Sequence, residues 1–436
     1  MRSAGGRPVR VGVFGLLGSG NVGNDGSLEA VLGYLRTRHP DAVVDALCGG
    51  PEDVAARYRI PAKRLNWYSG EYRTASRAGA IAAKGLGKLV DAVRTAAWVR
   101  RHDVVLVPGT GVLEATLPLR PWGFPYSLFL LCLTGRLFGT RVALVSVGAA
   151  VIGNRLTRAL VRWSARLAAY RSYRDTMSRG AMRAMNVDTA HDEVYEDLVF
   201  ALPTPPAGAD PGSEPAGELG EARPGPRGTV CVGVMAFHGS DDDRARAEQI
   251  HRRYLDGTTG FVRALVEEGR PVRLLTGDEV DRPVVAAVLE AVDSPLVTAA
   301  EAASLADLMK EMAAADTVVA TRYHNLICSV KVGTPTLALS YSAKSDALMD
   351  RTGLGAYCHP AREVDTERLL GQFRELEQRS TELRLALSEQ NRAAVRRVED
   401  QFTALTAAVF PAAEADSAVQ ATGHTHDHDH AQREAL

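Results

Sequence analysis

Apolar residues along the chain fall into short dense runs separated by longer amphipathic stretches. Before residue 202 the runs are VRVGVFGL at 9–16, AVVDAL at 42–47, DVVLVPG at 103–109 and RVALVSVG at 141–148. They are β-branched and apolar on both faces, as parallel strands covered on both sides must be. Helix-period stretches lie between them, at 27–38, 76–101, 125–138 and 155–168. After residue 228 the alternation restarts with TVCVGVMAF, PVRLLTG, TVVAT and TPTLALSY, and a stretch at 367–405 reads as one long helix. Twofold βα alternation predicts an α/β chain of two Rossmann-like doubly wound domains, at 1–202 and 229–408. Residues 203–228 are rich in Pro, Gly, Ala and Glu without periodicity and read as a linker. Ligands of such sheets bind at the carboxyl ends of the strands, so the expected site is the interdomain cleft.

Composition narrows this picture. The 436 residues are 46% hydrophobic and 24% charged, with a net charge of −1. That is an ordinary globular balance, and it gives no reason to expect a nucleic-acid partner. The five cysteines are scattered with no CxxC pair, which points to a reducing, cytoplasmic setting without disulfides or a cysteine zinc site. The longest apolar stretch, at 122–135, falls short of the roughly 20 residues a bilayer span needs and reads as a buried helix. Near the start of the chain, Gly12, Gly15 and Gly18 punctuate the apolar run, so a first strand is expected there and not a leader. Residues 409–436 form a polar tail expected to be disordered. Its alternating His424, His426, His428 and His430 could hold a transition metal through imidazoles; the plainer reading is a flexible tail with adventitious affinity, because nothing fixes the imidazoles, and no metal site is assigned. Charge is uneven in one place. Between Arg57 and Arg101, eleven Lys and Arg face only Glu71 and Asp91, with Trp67, Tyr68 and Tyr72 interleaved. Either this is a solvated helix face, or it makes peripheral contact with an anionic membrane surface or a phosphate-linked lipid carrier.

Candidate chemistry collects at the strand ends. The first strand runs into Gly18, Gly20, Gly23 and Gly26, interleaved with Asn21, Asn24 and Asp25. Glycines allow a ligand close to the backbone, and the amides of the next helix favour an anion or a sugar hydroxyl. A tight turn with a helix cap is the plainer reading. The spacing falls just short of a dinucleotide loop, which would also want an acid at the end of the second strand, where Asp45 could serve. Gly109, Gly111 and Glu114 follow the third strand, and Gly148 and Asn154 the fourth. Arg174 follows Arg171 and Tyr173 and precedes Asp175 and the helix carrying Ser178. It is either a fork for a carboxylate or phosphate or a surface arginine paired with Asp175. In the second half, ATRYHN puts Arg322 and His324 at a strand-to-helix corner, and Lys344 follows the next strand. A guanidinium, an imidazole and helix amides in one volume suit an anion, and a histidine there can also move a proton. The plainer reading is a buried histidine bonded to a carbonyl.

Taken in order, these pieces resemble the polysaccharide pyruvyl transferase family. GNVGNDGSLEAVL resembles its first loop and helix, VVLVPGTGVLE its glycine-rich segment, and VSVGAAVIGN its Gly-x-Gly turn. SYRDTMSRGAM resembles its Arg-Asp-x-x-Ser element and DLVFAL its Asp-x-x-Phe. ATRYHNLICSVKVGTPTLALSYSAKSDALM resembles its Arg-x-His, Gly-x-Pro and Ser-Tyr-x-x-Lys block. The resemblance implies a glycosyltransferase-B-like architecture. It also implies phosphoenolpyruvate as co-substrate with no cofactor, and transfer of its enolpyruvyl group to two hydroxyls of a polysaccharide or lipid-linked sugar. A pyruvate ketal forms and phosphate leaves. It assigns donor binding to Arg174, Arg322 and His324, with His324 as the proton-transfer residue; Lys344, after the next strand, either points at the same cleft as a donor contact or is a solvated loop lysine. Asn21, Gly23, Asn24, Asp25, Gly109, Gly111, Glu114 and Gly148 would line the acceptor side. The sequence departs from the family at Gly23-Asn24-Asp25-Gly26 and at Thr110, both on that side. Two rivals stand beside this reading. A nucleotide-sugar glycosyltransferase of similar fold would want a ribose-binding acid, with Glu311 or Asp316 available. A non-catalytic binding module would keep the fold without turnover.

Overall fold

The computed structural model describes residues 7–67, 77–114, 121–205 and 228–410. Most of the expected linker, the His-containing tail, and Tyr68 and Tyr72 therefore lie outside the described residues. The first sheet is built from β1 (Arg10–Gly15), β2 (Val43–Cys48), β3 (Ala62–Arg64), β4 (Val104–Leu113), β5 (Arg141–Ala149), β6 (Tyr170–Tyr173) and β7 (Glu193–Val194). Its order is β3-β2-β1-β4-β5-β6-β7, and its pairs are parallel. The helices α1 (Val22–Arg38), α2 (Pro51–Tyr58), α3 (Arg77–Val99), α4 (Phe124–Phe138), α5 (Arg155–Leu167) and α6 (Thr176–Ala184) make the crossovers.

The second sheet comprises β8 (Val230–Gly233), β9 (Val272–Leu275), β10 (Val297–Ala299), β11 (Thr317–Ala320), β12 (Thr336–Ser340) and β13 (Cys358–Pro360), again parallel, in the order β10-β9-β8-β11-β12-β13. Its helices are α7 (Ala247–Glu267), α8 (Arg282–Val292), α9 (Leu305–Ala313), α10 (Tyr323–Val332), α11 (Ala343–Arg351), α12 (Thr366–Gln378) and α13 (Ser380–Val409). Each sheet reverses direction beside its first strand, β1 or β8. Crossovers leave from opposite sides at that point and open a crevice at the strand ends.

The expected helix over 367–405 is two helices, broken at Arg379, whose backbone leaves helical geometry. The second of them, α13, spans both domains. Near its start Asn391 donates to the carbonyls of Val330 and Lys331 at the end of α10. Farther on, Gln401 donates to the buried Ser172 hydroxyl in β6, Phe402 stacks on Tyr34 of α1, and Phe410 stacks on His39. The apolar core follows this path. One continuous cluster joins Val31, Tyr34 and Leu35 of α1 to Leu326 and Val330 of α10 and to Phe402, Leu405 and Val409 of α13. All five cysteines are free thiols, and four of them are buried. Among the described residues no helix is long and apolar enough to cross a membrane. The 122–135 stretch is largely α4, packed inward through Leu128, Leu131 and Cys132.

Candidate active site

The loop between β1 and α1 ties itself together. Asn21 caps α1 by accepting from the amides of Gly23 and Asn24, and its side-chain nitrogen reaches across the cleft to the Asp278 carboxylate at 3.1 Å. The Asp25 carboxylate folds back to accept from the Gly18 amide at 2.7 Å, and Asn24 donates to the Leu16 carbonyl. Gly18 and Gly20 have φ of 66° and 84°, the left-handed region where a side chain would be strained. Gly23 and Gly26 serve another purpose. A Cβ at Gly23 would fall on the ring of His324, and one at Gly26 would fall on Leu305. These two glycines are sockets on α1 for side chains of the opposite domain, and α1 starts at Val22 instead of Ser27 because Asn21 supplies the cap. Asp45 lies inside β2, bonded to the Trp98 indole at 2.6 Å and facing His102 at 3.2 Å. It is a packing acid, not one at a strand end awaiting a ribose.

Gly111 and Gly148 act similarly. A Cβ on Gly111 would lie 2.8 Å from the Glu114 carboxylate, and one on Gly148 would collide with both Glu114 and the Arg174 guanidinium. Gly109 abuts the Ser146 carbonyl and Leu198 instead. Arg174 is 2% exposed, so the surface-arginine reading fails. Its two terminal nitrogens hold Glu114 at 2.7 Å and Asp197 at 3.1 Å, while Asp175, 3.7 Å from Nε, caps α6. A guanidinium buried this deeply persists only with such partners, since stripping its water costs several kcal/mol. Lys344, at the start of α11 in the second domain, reaches the same Glu114 carboxylate at 3.1 Å. The Tyr323 ring lies beneath both cations, 5.0 Å from the Arg174 guanidinium carbon and 4.4 Å from the Lys344 ammonium. Burial acts to raise the Glu114 carboxyl, but Arg174 and Lys344 outweigh it and hold the group below the usual carboxylate range. Burial also lowers Lys344, with Arg174 adding to the effect.

Arg322 forks onto Asp281 with bonds of 2.9 and 2.7 Å, leaving Nη1 as its remaining nitrogen. Asp281 is fully buried and also accepts from the Ala236 amide. His324 stands in the first turn of α10 against Gly23. Among the described residues no hydrogen bond reaches its ring nitrogens, so the carbonyl-bonded reading also fails. Burial, reinforced by Arg174, Lys344 and Arg322 and opposed by Asp197, lowers its pKa to about 4, so the imidazole is neutral at rest.

The structure thus brings Arg174, Lys344, Glu114, Gly111 and Gly148 into one cluster, with His324 and Gly23 in contact beside it. Reading the sequence saw Asp197 only as part of a motif, and missed it as the Arg174 partner, Asp281 as the Arg322 partner, and the Tyr323 platform. Asp281 had a signal: GDEVDR follows the strand-like PVRLLTG at its carboxyl end. Of two cavities between the domains, the first adjoins the cluster and the second is lined by none of its residues. The first, of about 540 Å³, is lined by Tyr323, Lys344, Asp175 and Arg351. The other, of about 580 Å³, lies between the Gly18–Gly20 turn, Asp25, Arg57 and, across the cleft, Asp278 and Glu279. Glu311 is spent on Arg273 in a two-bond fork, and Asp316 precedes β11 at the amino edge of its sheet, so neither acid proposed for a ribose faces the cleft. Among the described residues no group of His, Cys, Asp and Glu has the arrangement of a metal site.

Two doubly wound domains facing each other across a charged cleft define the glycosyltransferase-B-like class. Solved structures of that shape align over most of the chain. A UDP-N-acetylglucosamine 2-epimerase superposes with a TM-score of 0.57 at 12% identity, over 92% of this chain and 95% of that one. The Neisseria meningitidis enzyme of that name, solved with UDP-GlcNAc, gives 0.56 at 10% identity, over 90% and 99%. The Methanocaldococcus jannaschii enzyme gives 0.54 at 10%, over 84% and 92%. At such identities the likeness concerns the fold alone. A search among curated proteins finds no significant match. The polysaccharide pyruvyl transferase family model matches residues 21–343, from the Asn21 cap to the start of α11. The chain belongs to that family and is a transferase of polysaccharide biosynthesis.

Proposed function

We propose that the protein transfers the enolpyruvyl group of phosphoenolpyruvate to two hydroxyls of a sugar, free in a polysaccharide or carried on a lipid. The observation that carries this reading is the meeting of Arg174 and Lys344, from opposite domains, on a single carboxylate over the Tyr323 ring. Two cations held for one small carboxylate suit a small donor bearing its own carboxylate and phosphate. The donor takes the place of the Glu114 carboxylate and enters from the cavity lined by Tyr323 and Lys344. The remaining Nη1 of Arg322 gives it a third contact. The sugar occupies the opposite cavity, where Asp25, Asp278 and Glu279 accept from hydroxyls.

His324 starts neutral and can take the proton of the first attacking hydroxyl. The incoming anion strengthens its hold on that proton, and the proton passes to the terminal carbon of the enol. The C2 carbon becomes electrophilic and the sugar oxygen adds to it. The second hydroxyl then displaces phosphate, which leaves with that hydroxyl's proton. A ketal and inorganic phosphate result, and every proton is accounted for. The rival nucleotide-sugar reading lacks its ribose acid, since Glu311 and Asp316 are placed elsewhere. The test is thermal unfolding with phosphoenolpyruvate or with UDP-sugars, followed by phosphate release when saccharide is added. Stabilisation by phosphoenolpyruvate and phosphate release are expected. Stabilisation by UDP-sugars alone would overturn the proposal.

A further inference from the structure

We infer that the outward face of α3, with a tryptophan on each side, is a docking surface for an anionic lipid bilayer. Leu86, Leu89 and Val93 are 60%, 62% and 63% exposed. At spacings of three and four they share one helix face, while Asp91, Thr95, Trp98 and Val99 bury the other. An amphipathic helix at a domain surface normally turns polar side chains outward, and here the outward ridge is aliphatic. Both tryptophans are tied to the middle of this helix. The Trp67 amide donates to the Asp91 carboxylate at 2.7 Å. On the other side, the Tyr126 hydroxyl donates to the Lys88 carbonyl, and Trp122 packs against the Tyr126 ring at 5.7 Å. Trp67 and Trp122 are each more than half exposed. Two exposed tryptophans are thus tethered to the helix that carries the exposed aliphatic ridge.

Charge selects the occupant. Residues 77–101 carry Arg77, Lys84, Lys88, Arg94, Arg100 and Arg101 against Asp91 alone, in a chain of net charge −1. Lys88 and Arg94 are held by Asp91, whereas Lys84, Arg100 and Arg101 are exposed. A second copy of this chain would bring the same basic helix against itself. Aliphatic residues, flanking tryptophans and peripheral Lys and Arg are the composition of a helix lying in an anionic membrane interface. The docking surface itself does not depend on the pyruvyl-transfer reading.

The test is co-sedimentation of the full chain with phosphatidylglycerol–phosphatidylcholine vesicles and with phosphatidylcholine vesicles alone, alongside sedimentation analysis of its oligomeric state. Binding only to the anionic vesicles is expected, weakened by high salt, with a blue shift of tryptophan emission. The triple variant Leu86→Ser, Leu89→Ser, Val93→Ser should lose at least ten-fold in vesicle affinity with an unchanged melting temperature, because these side chains leave no buried contact behind. Arg100→Glu with Arg101→Glu should lose affinity independently. Equal binding to both vesicle types, no binding at all, or unchanged binding by both variants would overturn the inference. So would a dimer that the triple variant dissociates, which would assign the face to a second copy.

Discussion

Gly23→Ala separates stability from chemistry at a single methyl group. The added Cβ would lie 2.1 Å from the His324 ring, whose face now rests against the first turn of α1. Ordinary carbon contacts begin near 3.5 Å, so the ring must retreat by more than about 1 Å or the two domains must part by that much. Gly23 carries no left-handed φ, and alanine is the better helix former by up to about 1 kcal/mol. The relief of that helix and the displacement of the ring offset each other. Unfolding stability should therefore stay within ~1 kcal/mol of the parent. Turnover should not stay, because a misplacement of about 1 Å at a proton-transferring group costs on the order of 10²-fold in rate. Urea unfolding gives the first quantity, and phosphate release from phosphoenolpyruvate with saccharide acceptor gives the second. Gly26→Ala is the control, since its Cβ meets Leu305 and not the histidine; it should disturb interdomain packing and spare the ratio of activity to folded protein. Full activity in Gly23→Ala would refute the idea that the socket sets the position of His324.

Four further outcomes follow from the same geometry. The His324 pKa of about 4 lies below its unfolded value, so the unfolded chain binds the extra proton and stability is lost as pH falls from about 6.5 towards 4. His324→Gln should remove up to ~3 kcal/mol of that acid loss, less what the open edge of the site screens, and should abolish turnover; urea melts at pH 7 and pH 4.5 check this. Glu114→Gln takes the carboxylate from Arg174 and Lys344 and should tighten phosphoenolpyruvate binding about ten-fold, or ~1.4 kcal/mol, by calorimetry; weaker binding would make Glu114 part of the donor's own contacts. Arg322→Lys cannot keep the two-bond fork to the buried Asp281 and should cost ~2–4 kcal/mol in urea unfolding. Arg174→Met leaves Glu114 and Asp197 without their buried partner, and soluble yield should fall together with any phosphoenolpyruvate-induced rise in melting temperature.

The sequence was most legible where a strand is buried on both faces. Every strand read from an apolar run is present; those without such a run are β6, the four residues YRSY, and the four sheet edges β3, β7, β10 and β13. Edge strands here are two or three residues long and carry no apolar run to read. At the site, the cations stood out because Arg174, Arg322 and His324 follow core strands. Of their carboxylate partners only Glu114 was singled out, and for the acceptor side; Asp197 and Asp281 were not, because Arg174 meets Asp197, and Arg322 meets Asp281, only through the fold. The glycines were noticed but misread in part. At Gly23, Gly26, Gly111 and Gly148 the vacant side-chain space is filled by a residue distant in sequence or around a turn, and periodicity cannot show that.

The path of α13 has a consequence for how the molecule is made. Synthesis runs from the amino end, so the ribosome completes the first sheet long before it reaches Gln401, Phe402 and Phe410. Until then Tyr34 and His39 lack the rings that cover them, and Ser146 and Ser172 lack the amide of Gln401. The nascent first domain waits with an open seam, exposed to chaperones and to neighbouring chains, while the second domain is threaded out behind it. Closure of that seam waits until the strands of the second domain have all been made, and a chain cut short before residue 400 would leave both domains made and neither finished.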